Sequence, residues 1–359
     1  MLRLLLAQRE RGHEAELACP AAPEGGGAGL AERARAAGVE PVCRLVPARG
    51  ARLRRDGPDA RRLRAVLEQR HFDVLHTWHT RDHVLAWRAA RRERRARRAR
   101  IVRSYPRAER IPRWPWNRLL YRLGTDALLC PSRAAARANA ALCRGPVVGA
   151  LGAVDLSRFR PKPADPALRA ALGLAPRQHA IGVVARVQRH RRFDLLLEAM
   201  ARLAARDPDA RLLVVGRGTH IESVARQPAA RLGIADRVLF AGYRAADYTD
   251  VLRTIDVLTF LVPGSDGSCR ALLEAQACGI PAVTSRRGAL PEIVADGETG
   301  LMVDEDPEAL CSAWQQLLVD AELRARMGRA ARQRAERCFD PARLAQEVES
   351  LYASAATSR

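Results

Sequence analysis

Lysine is all but missing from this chain. Lys162 is the single lysine among 61 basic residues, so arginine carries nearly all the positive charge. A GC-rich genome explains Arg in place of Lys, but not the excess of base over acid. That excess is 61 against 40, a net charge of +21. A positive surface favours nucleic acid, anionic lipid or phosphorylated substrates, and a merely solvated basic surface competes with all three. Interleaved aromatic and basic residues of the kind that read nucleic acid are also lacking. No apolar run reaches the ~18 residues of a membrane span. Residues 1–7, MLRLLLA, are too short for a signal peptide and have no small-residue cleavage site. The eight cysteines form no C-x-x-C pair, and no histidines cluster at metal spacing. This implies reduced thiols in a cytoplasmic protein and no metal centre.

What is present is alternation. Short apolar runs such as "FDVLHT", "ARIVRSY" and "DALLCPS" are separated by Arg/Ala/Leu-rich amphipathic stretches. The pattern breaks near 160 at "FRPKPADP", a linker composition, then restarts with "AIGVVAR", "ARLLVVGRG" and "IDVLTFL". Such alternation builds parallel sheets covered by helices. The expectation is α/β, with two doubly wound Rossmann-like domains and ligands at the carboxyl ends of the strands, facing a cleft. The expected boundaries are 1–158, 159–335 and a terminal helix, 336–359, crossing back to the first domain.

The run "SDGSCRALLEAQACGIPAVTS" carries the chemistry. Strand 255–262 leads through Pro263-Gly264-Ser265-Asp266-Gly267-Ser268 into a helix over 269–278. Gly279 and Pro281 stop that helix. Small residues and two glycines at a helix mouth leave backbone N–H groups and the positive dipole end for a phosphate. Glu274 lies in the second turn among small and apolar neighbours. A buried carboxylate needs donors. A ribose diol or an arginine inside the domain would serve equally on spacing alone.

These residues resemble the signature of glycosyltransferase family 4, retaining enzymes of the GT-B fold. The family pattern is E-x7-E with G-F-G after the first Glu, then E-A-M-A-x-G-x-P-V-V. Asp266 falls on the first Glu and Glu274 on the second. Asp is one methylene shorter, and G-F-G has become Gly267-Ser268-Cys269. "IGVVARVQRHRRFDLLLEAMARL" is similar to the family's G-R-L-x-x-x-K-G-x-D-x-L-L-E-A. Arg186 falls on its Arg and Arg191 on its Lys, with Arg189 and Arg192 within one or two positions. The resemblance implies that Arg186, Arg191 and the backbone at Gly267, Ser268 and Cys269 hold the donor diphosphate. It also implies Glu274 on the ribose, Asp266 near the transferred sugar, and Gly242 and Tyr243 at the base. No metal or further cofactor is implied, only a UDP- or GDP-linked sugar as co-substrate.

In the first half, "FDVLHTWHTRDHVLAW" resembles D-V-V-H-T-H-S-S-K-D. His76 falls on the first His, Trp78 replaces the second, and His79 stands beside it. His76 and His79, on the acceptor side, are with Asp266 the candidate catalytic residues that the resemblance implies. "IVRSYPRAER" resembles V-R-T-x-H, with Pro106 in place of the His. The start, "MLRLLLAQRERGHEAELACP", resembles the fold's first helix and second strand. Counting back, a strand, a Gly-rich loop and half a helix are absent, roughly 15–25 residues. A start placed downstream of the true one and a real truncation both fit. Arginines from Arg88 to Arg103, followed by Trp114 and Trp116, suit an anionic membrane surface or a solvated helix beside a packed Trp loop.

The expected function is transfer of a sugar to a lipid-linked or saccharide acceptor. The expected setting is cell-envelope polysaccharide, lipopolysaccharide or glycolipid synthesis, in the cytoplasm or on the inner face of its membrane. A catalytically impaired nucleotide-sugar binder, a sugar-nucleotide epimerase and a nucleic-acid binder are the rivals.

Overall fold

The computed structural model describes residues 1–20, 29–46, 56–90, 99–263 and 269–357. The first half runs α1 (Leu2–Glu10), β1 (Ala18–Pro20), α2 (Leu30–Ala36), β2 (Cys43–Leu45), α3 (Gly57–Gln69), β3 (Val74–Thr77) and α4 (Thr80–Ala90). It continues through β4 (Arg100–Ser104), α5 (Pro115–Leu123), β5 (Ala127–Cys130), α6 (Arg133–Asn139) and β6 (Val147–Gly149). The second half runs α7 (Pro166–Ala171), β7 (His179–Val184), α8 (Phe193–Ala204), β8 (Ala210–Val215), α9 (Gln227–Arg231), β9 (Val238–Gly242), α10 (Tyr248–Arg253) and β10 (Val257–Phe260). Then come α11 (Arg270–Ala277), β11 (Ala282–Thr284), α12 (Leu290–Ile293), β12 (Gly300–Met302), α13 (Pro307–Val319), α14 (Ala321–Cys338) and α15 (Pro341–Thr357).

Two compact units result: Met1–Ala150 with Pro341–Arg359, and Leu151–Asp340. Residues 151–158, assigned to the first domain on the sequence, cluster with the second. Val154 is fully buried in that unit's core, and its N–H donates to the Phe339 carbonyl at 2.9 Å.

In the first unit the strands make two separate parallel sheets, β1-β2 and β3-β4-β5-β6. The strand period of two sends neighbouring side chains of β4 to opposite faces. Val102 packs against Leu4 of α1 and Ala345, Val348 and Leu351 of α15. Ile101 packs against Leu67 of α3 and Ala86, Ala89 and Ala90 of α4.

The second unit holds one parallel sheet of order β12-β11-β10-β7-β8-β9. Both faces are covered, which is why its strands are written as continuous apolar runs. On β8, Leu212 and Val214 join one core with α8 and the fully buried Trp314 of α13. Leu213 and Val215 join the other with Leu272 and Leu273 of α11. The Trp314 indole N–H is satisfied by Thr259 Oγ1 at 2.8 Å. From β7 the chain proceeds outward to β8 and β9, then crosses to β10 on the other side. The switch point therefore lies between β7 and β10, and a crevice opens there at the carboxyl ends.

Candidate functional site

Residues 185–192 after β7 and 261–263 after β10 border that crevice. Arg191 ties them together, since its Nη1 donates to the Val262 carbonyl at 2.9 Å. Arg192 takes a left-handed backbone (φ 59°) at the start of α8. Its guanidinium is spent on Asp194 at 3.2 Å and on Glu305. Arg186 is exposed and forms no ion pair or side-chain hydrogen bond among the described residues. Within "RHRR", then, Arg191 reaches the crevice and Arg192 is structural, a division that spacing alone left open.

The second loop ends at Cys269, buried and also left-handed (φ 48°). Arg192 and Cys269 are the two non-glycine residues with positive φ among the described residues. Each conformation costs of order 1–3 kcal/mol, and such strain gathers at working sites. Here the pair flanks one crevice. Asp266, Gly267 and Ser268 lie outside the described residues. Helix α11 begins just beyond. Cys269 supplies no side-chain cap, and its carbonyl accepts from the N–H groups of Leu272 (2.9 Å) and Leu273 (3.2 Å). The far end closes as its sequence demands. Gly279 N–H reaches the Gln276 carbonyl (2.9 Å) and Ile280 N–H the Ala275 carbonyl (3.0 Å), with Gly279 at φ +76°. That is the Schellman pattern, with Pro281 preventing continuation.

Glu274 is 5% exposed. Its Oε2 accepts a hydrogen bond from the Tyr248 hydroxyl at 2.9 Å. Burial first, and the neighbouring carboxylate second, push the Tyr248 phenol far above its ordinary value, so it remains a donor. Tyr248 was not singled out in the sequence. It lies 26 residues from Glu274, on another helix, and no local spacing joins them.

Further along the same edge, an irregularity between Val214 and Val215 shifts the β8-β9 register. Phe240 pairs with Val214 and Gly242 with Val215, so Ala241 is the extra residue. Gly242 has φ +70°, and its carbonyl accepts from Gly216 N–H at 2.8 Å. Tyr243 follows, 66% exposed, with the Arg217 guanidinium 4.9 Å from its ring centre. An open aromatic face backed by a cation can stack a planar ring.

In the first unit the two histidine candidates differ. His76 Nδ1 is 2.7 Å from Tyr352 Oη and its Nε2 2.7 Å from Ser104 Oγ. The ring stacks on Trp78 at 4.9 Å. Burial first, then the positive chain terminus and Arg103, pull its pKa down to about 3. With both nitrogens engaged and the ring neutral, His76 ties β3 to β4 and α15. His79 is exposed just before α4, its N–H donating to Asp82 Oδ2 at 3.1 Å. Of the arginine stretch, residues 91–98 lie outside the described residues. Among the described residues, no group of three or more His, Cys, Asp or Glu could hold a metal ion, and no helix is long and apolar enough to cross a membrane.

Two units of parallel sheet, one with cations, a buried carboxylate and an open aromatic along its carboxyl edge, define a protein of the GT-B class. Solved structures agree on the fold. The structure of Anabaena Alr3699/HepE in complex with UDP and glucose superposes with a TM-score of 0.78 at 18% identity, covering 98% of this chain and 94% of that one. Two family models match nearly end to end: "Glycosyltransferase Family 4" over 1–158 and "Glycosyl transferases group 1" over 165–334. The chain belongs to glycosyltransferase family 4. Among curated relatives, a D-inositol 3-phosphate glycosyltransferase of Rhodococcus opacus is 43% identical over 159 residues, 42% of this chain. A GDP-mannose-dependent alpha-(1-6)-phosphatidylinositol monomannoside mannosyltransferase of Mycolicibacterium smegmatis is 37% identical over 190 residues, 50% of this chain. The matches span 35% and 49% of those relatives' lengths.

Proposed function

We propose that this chain moves a sugar from a UDP- or GDP-linked donor to a saccharide or lipid-linked acceptor, with retention, in envelope glycolipid or polysaccharide synthesis. The observation that carries the reading is the switch-point crevice, where Arg191 is anchored to Val262 and Glu274 is buried in the helix that opens there. Arg186 and Arg191, with the backbone at Gly267, Ser268 and Cys269, hold the diphosphate. Fixed cations stabilise the negative charge that grows as a nucleoside diphosphate leaves, so no metal is required. Glu274 takes the ribose hydroxyls, Tyr243 the base, and Asp266 lies by the transferred sugar. His79 is the histidine available to an acceptor.

Membrane contact is part of the proposal. Helix α5 leaves Trp116, Leu119 and Leu123 exposed at spacings of three and four, with Trp114 just before it 72% exposed. Arg118 and Arg122 flank this stripe. Such a helix suits the interface of an anionic bilayer at the cytoplasmic face. The inositol 3-phosphate and phosphatidylinositol monomannoside in the relatives' names support an acceptor of that kind.

A second reading, a nucleotide-sugar binder with little turnover, is favoured by the commitment of His76 to Tyr352 and Ser104. Incubation with UDP- and GDP-sugars, acceptor lipid extract and excess chelator separates the two. Transfer with the anomeric configuration kept, by NMR of the product, supports the enzyme. Tight nucleotide binding with neither transfer nor hydrolysis supports the binder.

A further inference from the structure

Among the described residues, the first unit buries two arginines and treats them differently. Arg81, 5% exposed, is fully paired: its Nε reaches Asp56 at 2.9 Å, its Nη1 the Val46 carbonyl at 2.8 Å, and its Nη2 bonds Asp59 at 2.5 Å. Arg103, 2% exposed, has no carboxylate partner among the described residues, and its Nε and Nη1 have no hydrogen-bond partner. A guanidinium taken out of water without a counter-ion is costly, and native proteins pair or ligate such groups.

Its surroundings have the same character. Strand alternation sends Arg103 to the face of β4 that Ile101 shares with α4. His83 of α4 is fully buried there, and Tyr121 of α5 lies edge-on to it at 5.1 Å between ring centres. Burial pushes the Tyr121 phenol up, and the charge of Arg103, which is also hydrogen-bonded to it, pulls it back. His83 Nε2 lies 3.0 Å from the Gly124 carbonyl and 2.8 Å from the Thr125 hydroxyl. Its Nδ1 is buried without a hydrogen-bond partner among the described residues. Thus two donor nitrogens on Arg103 and one ring nitrogen on His83 stand unsatisfied in one cluster.

We propose that Arg103, with Tyr121 and His83 around it, forms a buried anion site that takes a phosphoryl group carried by the acceptor. Arg103 donates to phosphoryl oxygens from its unpartnered nitrogens, and His83 Nδ1 offers a further polar contact to the group. Naming the acceptor rests on the transferase reading; the anion site does not. Past Ser104, residues 105–114 form neither helix nor strand and bury only Ile111. This segment is held at Tyr105, whose N–H donates to the Leu129 carbonyl at 2.8 Å, and at Ile111, whose N–H donates to Asn139 Oδ1 at 2.8 Å, and the exposed stretch between these points gives access. The phosphoryl group comes either from a soluble phosphate monoester or from a lipid headgroup presented beside exposed α5.

The test needs no turnover. Wild type, Arg103→Met and Arg103→Lys are melted while inorganic phosphate replaces potassium chloride at constant ionic strength. Neutral vesicles with and without phosphatidic acid form a second arm. Wild type should show a saturable rise in melting temperature of a few degrees in at least one arm. A response to soluble phosphate assigns a free monoester, and a response confined to phosphatidic acid assigns a headgroup. Arg103→Met should lose the response and melt no lower than wild type without phosphate, since it removes an unpaired buried charge. Arg103→Lys should keep part of it. Nucleoside diphosphate binding should be the same in all three, so failure of the donor reading shows separately. No response of wild type in either arm overturns the proposal. So does a response that survives Arg103→Met, or collapse of both variants in phosphate-free buffer.

Discussion

Glu274→Gln is the substitution that tests the proposed donor site. Gln has the same shape, and its amide oxygen still accepts from the Tyr248 hydroxyl, now 2.9 Å from Oε2. Stability should therefore change by no more than about 1 kcal/mol, and loss of a buried charge acts in the stabilising direction. Donor binding should change far more. A hydrogen bond to a carboxylate contributes about 1–1.5 kcal/mol more than one to a neutral oxygen. Two ribose hydroxyls then lose about 2–3 kcal/mol, roughly 30- to 150-fold in Kd. Tyr248→Phe is the counterpart. It leaves the carboxylate short of a donor and should cost about 1–3 kcal/mol in stability, with the ring still packed 6.1 Å from Phe159. The assay is calorimetric titration with the nucleoside diphosphate and its 2′,3′-dideoxy analogue, alongside urea melts. Wild type should favour the diol strongly and Glu274→Gln should not. Equal preference for the two nucleotides in wild type, or unfolding of Glu274→Gln, would refute the reasoning.

Arg191→Met should weaken nucleoside diphosphate binding about 10- to 100-fold, the range of one charged hydrogen bond. It also removes the 2.9 Å tie to Val262, so about 1 kcal/mol of stability goes with it. Unchanged affinity would remove Arg191 from the diphosphate site. The buried imidazoles make stability depend on acid. His76 and His83 are both lowered to about 3, chiefly by burial, from 6.5. The unfolded chain takes up those protons first, so the contribution is whole above pH 6.5 and is lost as pH falls from there toward 3. Each imidazole adds a slope of up to about 1.4 kcal/mol per pH unit. Urea midpoints should drop steeply below pH 6, and His83→Gln should flatten the fall by about half.

The local parts of this protein were legible in its sequence. The apolar runs of the second unit are the strands of its parallel sheet, because burial on both faces requires continuous hydrophobicity. Helix α11 ends where Gly279 and Pro281 predict, because a Schellman turn depends on nearest neighbours alone. The order of motifs fixed the two-unit class for the same reason: each is a strand, loop and helix start within one short segment.

Other assignments rested on partners far along the chain. His76 is an acceptor-side candidate by its motif position, and only the arrival of Tyr352, 276 residues away, and Ser104 at its two nitrogens gives it a structural role. Arg191 and Arg192 are adjacent and alike in sequence, and only the position of Val262 and Glu305 separates crevice from scaffold. Arg103 was one cation in a basic run until folding buried it without a counter-ion. Backbone preferences and turn chemistry act over a few residues, and the sequence by itself determined what depends on them. Hydrogen bonding and desolvation of a charge depend on which distant groups arrive beside it, and only the tertiary structure decided that.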